Sequence, residues 1–196
     1  MKSLFYLTLF LLFPLYNLYS QENASSFDRI DVNQGLAGYD VNSIIQDDLG
    51  YIWIGTTNGL NRYDGYSFNV YKLQKQGDYI LSCFINKLFK DNAGNIWIGT
   101  DDGLQCFDPK TETFKSYQHS KQNPNSILDN NVLDIFSNND GYLWIGTDEG
   151  LSRFDTKNQT FKNFKLSTQI LSGYNSIKSI AGDKNRIFLG TNFELF

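Results

Sequence analysis

The residues able to do chemistry in this chain are few and scattered. Histidine occurs once, as His119 inside the polar run Gln118 to Gln122, so no imidazole has a second base, nucleophile or metal ligand beside it in the sequence. An exposed loop position is expected for it. Carboxylates are plentiful, but Asp64, Asp108 and Asp155 each follow an aromatic residue at matching places, where a short acidic side chain suits the capping of a turn. Asp101-Asp102 and Asp148-Glu149 are acidic pairs without the oxygen-rich loop spacing of a calcium site. Cys83 and Cys106 lack the paired spacing and neighbouring His of a zinc site, and they are expected as semi-buried thiols rather than as a bridge. Arg29, Arg62, Arg153 and Arg186 do not recur as a convergent set of the kind that grips a substrate carboxylate. No catalytic residue, metal ligand or cofactor is assigned, and the chemistry left is that of binding. Tyr39, Asp40, Phe84, Asn130 and Tyr174 offer aromatic, amide and carboxylate groups suited to stacking on sugar rings and to hydroxyl contacts.

The elements that must position these residues follow from composition and repetition. The chain has 196 residues, 41% of them hydrophobic and 16% aromatic, with 16 Gly and only 3 Pro. That balance favours strands joined by glycine turns around a real core. The formal charge is -4 and the pI about 4.9, with no dense run of Lys or Arg, so nucleic acid is not an expected partner. Residues 1–20 carry Lys2 and then an apolar run from Leu4 to Leu18. The run predicts a signal peptide cleaved after Ser20, and hence a periplasmic or secreted product. No cysteine stands at that cleavage point, so a lipoprotein anchor is not expected.

One segment recurs. DDLGYIWIGTTNGLNRYDGYSFNVY, DNAGNIWIGTDDGLQCFDPKTETFKSY and NNDGYLWIGTDEGLSRFDTKNQTFKNF share W-I-G-T, then G-L, then an aromatic residue and Asp. Trp53, Trp97 and Trp144 stand 44 and 47 residues apart, and Phe188 in RIFLGT lies another 44 beyond. This period is that of one β-propeller blade. Each copy divides into four short strands. The inner ones are predicted at Val41 to Ile45, Ile85 to Phe89, Val132 to Phe136 and Ile177 to Ile180. Tight turns follow at Asp48-Leu49-Gly50, Asn92-Ala93-Gly94 and Asn139-Asp140-Gly141, each with a polar side chain placed to cap it. The next strand is apolar at successive positions, so both its faces must be covered: Trp53 packs on one neighbouring sheet while Ile52 and Ile54 pack on the other. Gly55, Gly99, Gly146 and Gly190 then let the neighbouring blade approach closely. Outermost strands are expected at Phe68 to Tyr71, Phe114 to Tyr117 and Phe161 to Phe164. The five candidate binding residues precede the inner strands, where successive blades converge on the central channel.

The fold class is therefore all-β: a partial propeller of three complete four-stranded blades and the start of a fourth, at about 38–73, 82–119, 129–166 and 174–196, within a domain spanning 21–196. A closed ring needs about four to eight blades, so the polypeptide is expected to be the start of a longer one. Phe27 to Ile30 is a candidate outer strand for a closing blade.

The pattern D-x-x-G-x-I-W-I-G-T-x-x-G-L-x-x-[YF]-D resembles the two-component regulator propeller repeat, and NQGLAGYDVNSIIQDDLGYIWIGTTNGLNRYDG resembles the start of the periplasmic sensor region of hybrid two-component histidine kinases from polysaccharide-degrading bacteria. The fourth copy departs from it, with Phe188 for Trp and Asn192-Phe193-Glu194 in place of the second turn. The resemblance implies a ligand-sensing module for carbohydrate breakdown products. It also implies a parent protein anchored in the inner membrane whose kinase, phosphorelay and DNA-binding parts lie outside this chain. The partners implied are an oligosaccharide or other small ligand, the downstream blades and kinase of the parent, and a homodimer mate. No phosphoacceptor box or ATP-binding glycine motif occurs here, so this chain is not expected to be an enzyme. Two alternatives are a protein-interaction scaffold and, because D-x-G-x-x-W overlaps the Asp-box turn, a sialidase-like glycoside hydrolase fragment.

Overall fold

The computed structural model describes residues 27–72, 80–166, 175–183 and 185–192. The predicted signal peptide at residues 1–20 lies outside them, as does Tyr174. Fourteen strands are present among the described residues. Blade 1 is β1 (Val41–Gln46), β2 (Ile52–Thr56), β3 (Gly59–Tyr63) and β4 (Phe68–Tyr71). Blade 2 is β5 (Ile85–Lys90), β6 (Ile96–Thr100), β7 (Gly103–Asp108) and β8 (Thr113–Tyr117). Blade 3 is β9 (Val132–Phe136), β10 (Tyr142–Thr147), β11 (Gly150–Asp155) and β12 (Thr160–Phe164). Each forms an antiparallel meander in chain order, and β13 (Ser179–Gly182) pairs with β14 (Ile187–Gly190) as the start of a fourth. The first strands contact one another in sequence, β1 on β5, β5 on β9 and β9 on β13, which places them innermost.

Three details depart from the sequence reading. The first strand of blade 4 begins two residues later than predicted, because the Ile177 N–H donates 3.0 Å to the Thr147 carbonyl of blade 3 and not to its own blade. Phe27 to Ile30 forms no strand; it leads into a single 3-10 turn at Val32–Gln34, capped by Asp31. The tight first turn is capped one residue earlier than expected. Asp47 Oδ1 accepts the Leu49 and Tyr51 N–H groups while Oδ2 accepts the Trp53 indole N–H at 2.7 Å. Asp91 repeats this with Ala93, Asn95 and, at 2.8 Å, Trp97. Gly50, Gly94 and Gly141 do take the positive φ that such a turn requires. Asp64, Asp108 and Asp155 cap the third-to-fourth hairpins as predicted.

Packing between blades is what the apolar doublets require. Trp53 and Leu60 of blade 1 meet Ile85, Leu88, Ile96, Ile98 and Phe107 of blade 2 in one core. Trp97 and Leu104 meet Val132, Ile135, Leu143, Ile145 and Phe154 in the next. The tryptophan thus faces forward and its flanking aliphatics face back. Burying a side chain such as Phe107 or Phe154 contributes roughly 2–3 kcal/mol, and aromatic contacts at 5.1 Å (Trp53 to Phe107) and 5.4 Å (Trp97 to Phe154) repeat across the two seams. A Cβ on Gly55 would lie 2.5 Å from Ile85 Cγ2, and on Gly99 2.7 Å from Val132 Cγ1, so glycine sets the inter-blade spacing. The backward face of blade 1 carries Val41 and Ile44 exposed, with Ile52 and Ile54 half-buried. Cys83 and Cys106 are not bridged and pack in different clusters.

Candidate functional site

Along the axis, side chains of the inner strands stitch one blade to the next. Asn42 donates 2.8 Å to the Ile85 carbonyl, and Asn86, one blade on, donates 2.8 Å to the Val132 carbonyl. One position further along each strand, the Ser43 hydroxyl accepts the Leu88 N–H at 3.0 Å, Lys87 pairs with Asp134 at 2.7 Å, and Asp134 Oδ2 accepts the Ile180 N–H at 2.6 Å. Asp134 is buried, and its charge is met by the Lys87 ammonium and backbone donors. A buried carboxylate so saturated has a structural task at the seam.

The loops leading into the inner strands are held from below by buried polar side chains on the third strands. Asn61 accepts the Ala37 N–H at 2.8 Å, Gln105 accepts Leu81 N–H at 2.7 Å, and Ser152 accepts Leu128 N–H at 3.0 Å. All three are buried, so each satisfies a backbone donor that would otherwise be stranded. These tethers fix the loops that carry Tyr39, Phe84 and Asn130 at one end of the propeller, beside the turns between second and third strands. The Asp40 carbonyl accepts the Thr57 N–H of such a turn at 3.2 Å.

Within that end the predicted residues divide. Tyr39 is 79% exposed and Phe84 42% exposed, and Asp40 is also exposed. Among the described residues no hydrogen bond engages the side chains of these three. Asn130 is spent: its Oδ1 accepts the His119 N–H at 2.7 Å and its Nδ2 donates to Asp102 at 3.3 Å. Among the described residues, no hydrogen bond joins any two of Tyr39, Asp40, Phe84 and Asn130. His119 is exposed, with Nδ1 2.9 Å from the Ile127 carbonyl. Nearby, Asp148 gathers Asn131, Ser176 at 2.8 Å and Lys178 at 3.5 Å. Burial works to raise this carboxyl, but the hydrogen bonds from Ser176 and Asn131, with the Lys178 charge, outweigh it and hold it below its ordinary value. Among the described residues no group of three His, Cys, Asp or Glu could hold a metal ion.

The sequence reading missed Asn42, Asn86, Lys87 and Asp134 on the axis, and Asn61, Gln105 and Ser152 under the loops. A signal existed for both sets: Asn42 and Asn86, Lys87 and Asp134, and Asn61, Gln105 and Ser152 hold polar residues at fixed places in the 44 to 47 residue period. The end of the ring so organised offers open aromatic and carboxylate groups on tethered loops, which suits binding.

Comparison with known proteins decides the family. The two-component regulator propeller family matches at residues 35–58, 79–102 and 126–149, which are the lead-in loop, inner strand and W-I-G-T segment of three successive blades. These blades are two-component regulator propeller repeats. The regulator propeller is similar in structure to the extracellular domain of a hybrid two-component system from B. thetaiotaomicron, at 28% identity and a TM-score of 0.77, over 83% of this chain and 23% of that one. It shares its fold with the extracellular domain of a one-component system from the same organism, at 23% identity and a TM-score of 0.68, over 84% of this chain and 24% of that one. A 47-residue stretch is 45% identical to histidine kinase P4 of Formosa agariphila, covering 24% of this chain and 3% of that protein. The regulator propeller thus spans only a small part of the proteins it matches. Its likeness in sequence is to a regulator repeat and to the extracellular domain of a hybrid two-component system. Among the described residues no helix is long and apolar enough to cross a membrane.

Proposed function

We propose that this propeller segment is the extracytoplasmic, ligand-sensing part of a two-component sensor, exported by the signal peptide expected at residues 1–20. Its ligand is a carbohydrate breakdown product received where the inner strands begin. The observation that carries this reading is the likeness, over 83% of the chain, to the extracellular domain of a hybrid two-component system. The end of the ring that presents Tyr39, Asp40 and Phe84 supports it further: open aromatic faces and a free carboxylate stand on loops pinned by Asn61 and Gln105, and such preorganisation limits the entropy lost on binding. Asn130 serves there as a tie between loops, and Tyr174, which the repeat register adds to the set, lies outside the described residues. Kinase activity belongs to the parent protein, as the short match to a histidine kinase supports.

The test is calorimetric titration of the full-length sensor with a panel of plant and algal oligosaccharides, repeated with Tyr39→Ala, Asp40→Ala and Phe84→Ala. Loss of one stacking or charged contact should weaken the bound sugar by about tenfold or more, the equivalent of roughly 1.4 kcal/mol. Unchanged affinity in all three variants would remove this end of the propeller from consideration, and a panel without any binder would remove carbohydrate.

A further inference from the structure

Where blade 1 meets blade 2, the flank of Trp53 is closed. Arg62 lies over the Tyr51 ring at 4.9 Å and over Trp53 at 5.8 Å, and it pairs at 3.1 Å with Glu112 of the next blade. One blade on, the same three repeat positions hold Cys106 for Arg62, Asn95 for Tyr51 and Gln159 for Glu112. The two large side chains disappear together, and a cavity of about 490 Å³ stands between blades 2 and 3. Trp97, Cys106, Tyr117 and Phe154 form its floor, and Lys115 and Gln159 stand at its rim. Blade 3 restores the filler, with Arg153 over Tyr142 at 4.3 Å. Among the described residues, the filler is missing from the second seam and present on blades 1 and 3.

Charge changes with volume. The first seam is closed by a cation and an anion that neutralise each other. In the second, the anion has become the neutral Gln159, while a cation, Lys115, stands where blade 1 has Asn69. Lys115 bonds to Gln159 Oε1 and lies 5.5 Å from the Tyr117 ring centre. Among the described residues it forms no ion pair. Asp91, which also lines the cavity, keeps its charge but makes no ion pair with Lys115: Oδ1 is taken by the Ala93 and Asn95 N–H groups, and Oδ2 by the Trp97 indole and the Asn95 amide. An incoming molecule meets an aromatic floor, amide groups and, at the rim, an ammonium with no ion-pair partner among the described residues.

We propose that this cleft is a second ligand site, one that takes a small ring compound bearing a single carboxylate. The ring packs against the Trp97, Tyr117 and Phe154 floor, and the carboxylate replaces Glu112's lost charge by pairing with Lys115. The volume falls in the range of small-molecule pockets, roughly 300–1,000 Å³. The cleft opens beside the turns after β5 and β9, at the opposite end from Tyr39 and Phe84, so it stands or falls independently of the site under Proposed function.

The test titrates the full chain calorimetrically with galacturonate and with phenylacetate, each beside its neutral counterpart, galactose or phenylacetamide. At least one carboxylate is expected to bind, its counterpart at least about tenfold more weakly. Galacturonate alone identifies the ring as a sugar, and phenylacetate alone as an aromatic. The variant Asn95→Tyr/Cys106→Arg/Gln159→Glu rebuilds the filler of the first seam and should lose binding with an undiminished melting temperature. Lys115→Met, at an exposed rim, should weaken binding about tenfold and settles the matter alone if the filled variant does not fold. Binding of neither carboxylate, equal binding of the neutral compounds, or undiminished affinity in the filled or Lys115→Met protein would overturn the proposal.

Discussion

The seam between blades 1 and 2 and the seam between blades 2 and 3 are built on one backbone plan and finished differently. In both, a glycine of the second strand admits the first residue of the next inner strand, Ile85 in one and Val132 in the other. In both, the tryptophan is tied by its indole to the aspartate six residues earlier and covers a phenylalanine of the following blade. They part at the flank, where Arg62, Tyr51 and Glu112 give way to Cys106, Asn95 and Gln159. Trp53 is fully buried, while Trp97 borders a cavity. The lesson is that stacking is secured by the second-strand glycine and tryptophan, which the repeat holds constant at both seams. The outer flank is free to vary from seam to seam, because little of the stacking rests on it.

If the inner positions carry the stacking, disturbing them should hurt every seam alike. The largest effect is expected for Gly55→Ala, Gly99→Ala and Gly146→Ala, which thrust a methyl to 2.5 Å from Ile85, 2.7 Å from Val132 and 2.7 Å from the Ile177 carbonyl oxygen. The first two neighbours are buried side chains and the third is backbone, so none can swing away. Each change should cost roughly 1–3 kcal/mol in denaturant titration, with Gly146→Ala at the upper end. A double-mutant cycle sharpens the point: Ile85→Ala removes the clashing methyl, so Gly55→Ala should cost less in that background than alone. Equal costs in both backgrounds would mean that the glycine is needed for some other reason.

How much of this was legible in the residues follows the same division. The blade, its strand borders and the forward-facing tryptophan could be read from apolar doublets and glycines at a fixed period, since burial and turn geometry admit few alternatives for W-I-G-T between two glycine turns. The capping carboxylate was misplaced by one residue, because Asp47 and Asp48 are adjacent and propensity alone does not say which one turns inward. The tethers Asn61, Gln105 and Ser152 differ in residue type at one position, and only the fold shows that all three accept a loop N–H. The cleft was hidden more deeply. Its absence of filler becomes visible only when positions on two different blades are seen to share one space.

The third blade breaks the shared plan at one atom pair. Asn138 stands where Asp47 and Asp91 stand, and both its Oδ1 and the Trp144 indole N–H are buried without a partner. The turn is held instead by Ser137, which accepts the Asn139 N–H, and by Asp140, which accepts the Tyr142 N–H. Asn138→Asp should recreate the indole-carboxylate bond of the first two blades. A charge-assisted bond replacing two stranded groups is worth about 1–2 kcal/mol, read as a higher denaturation midpoint, whereas Asp47→Asn or Asp91→Asn should lose a similar amount. A variant Asn138→Asp no more stable than the parent would show that this turn cannot adopt the geometry of the others.

The smallest effect concerns acid. At the third seam Asp148 takes hydrogen bonds from Asn131 and Ser176 and faces Lys178, where blades 1 and 2 carry Thr57 and Asp101 in the same repeat position without such a knot. Its carboxyl is held below the ordinary value of 3.8 in the folded chain, while the unfolded chain titrates near about 3.9. The folded state therefore binds that proton less readily than the unfolded one, and the stabilisation is fully present above the unfolded value. It fades as the pH falls through the folded one. Because the side chain is 43% exposed, solvent screening limits the gain to under about 1 kcal/mol. Melting temperatures measured from pH 6 down to 2, taken against Asp148→Asn, should diverge at neutral pH and converge at the acid end; parallel curves would deny the third seam its electrostatic lock.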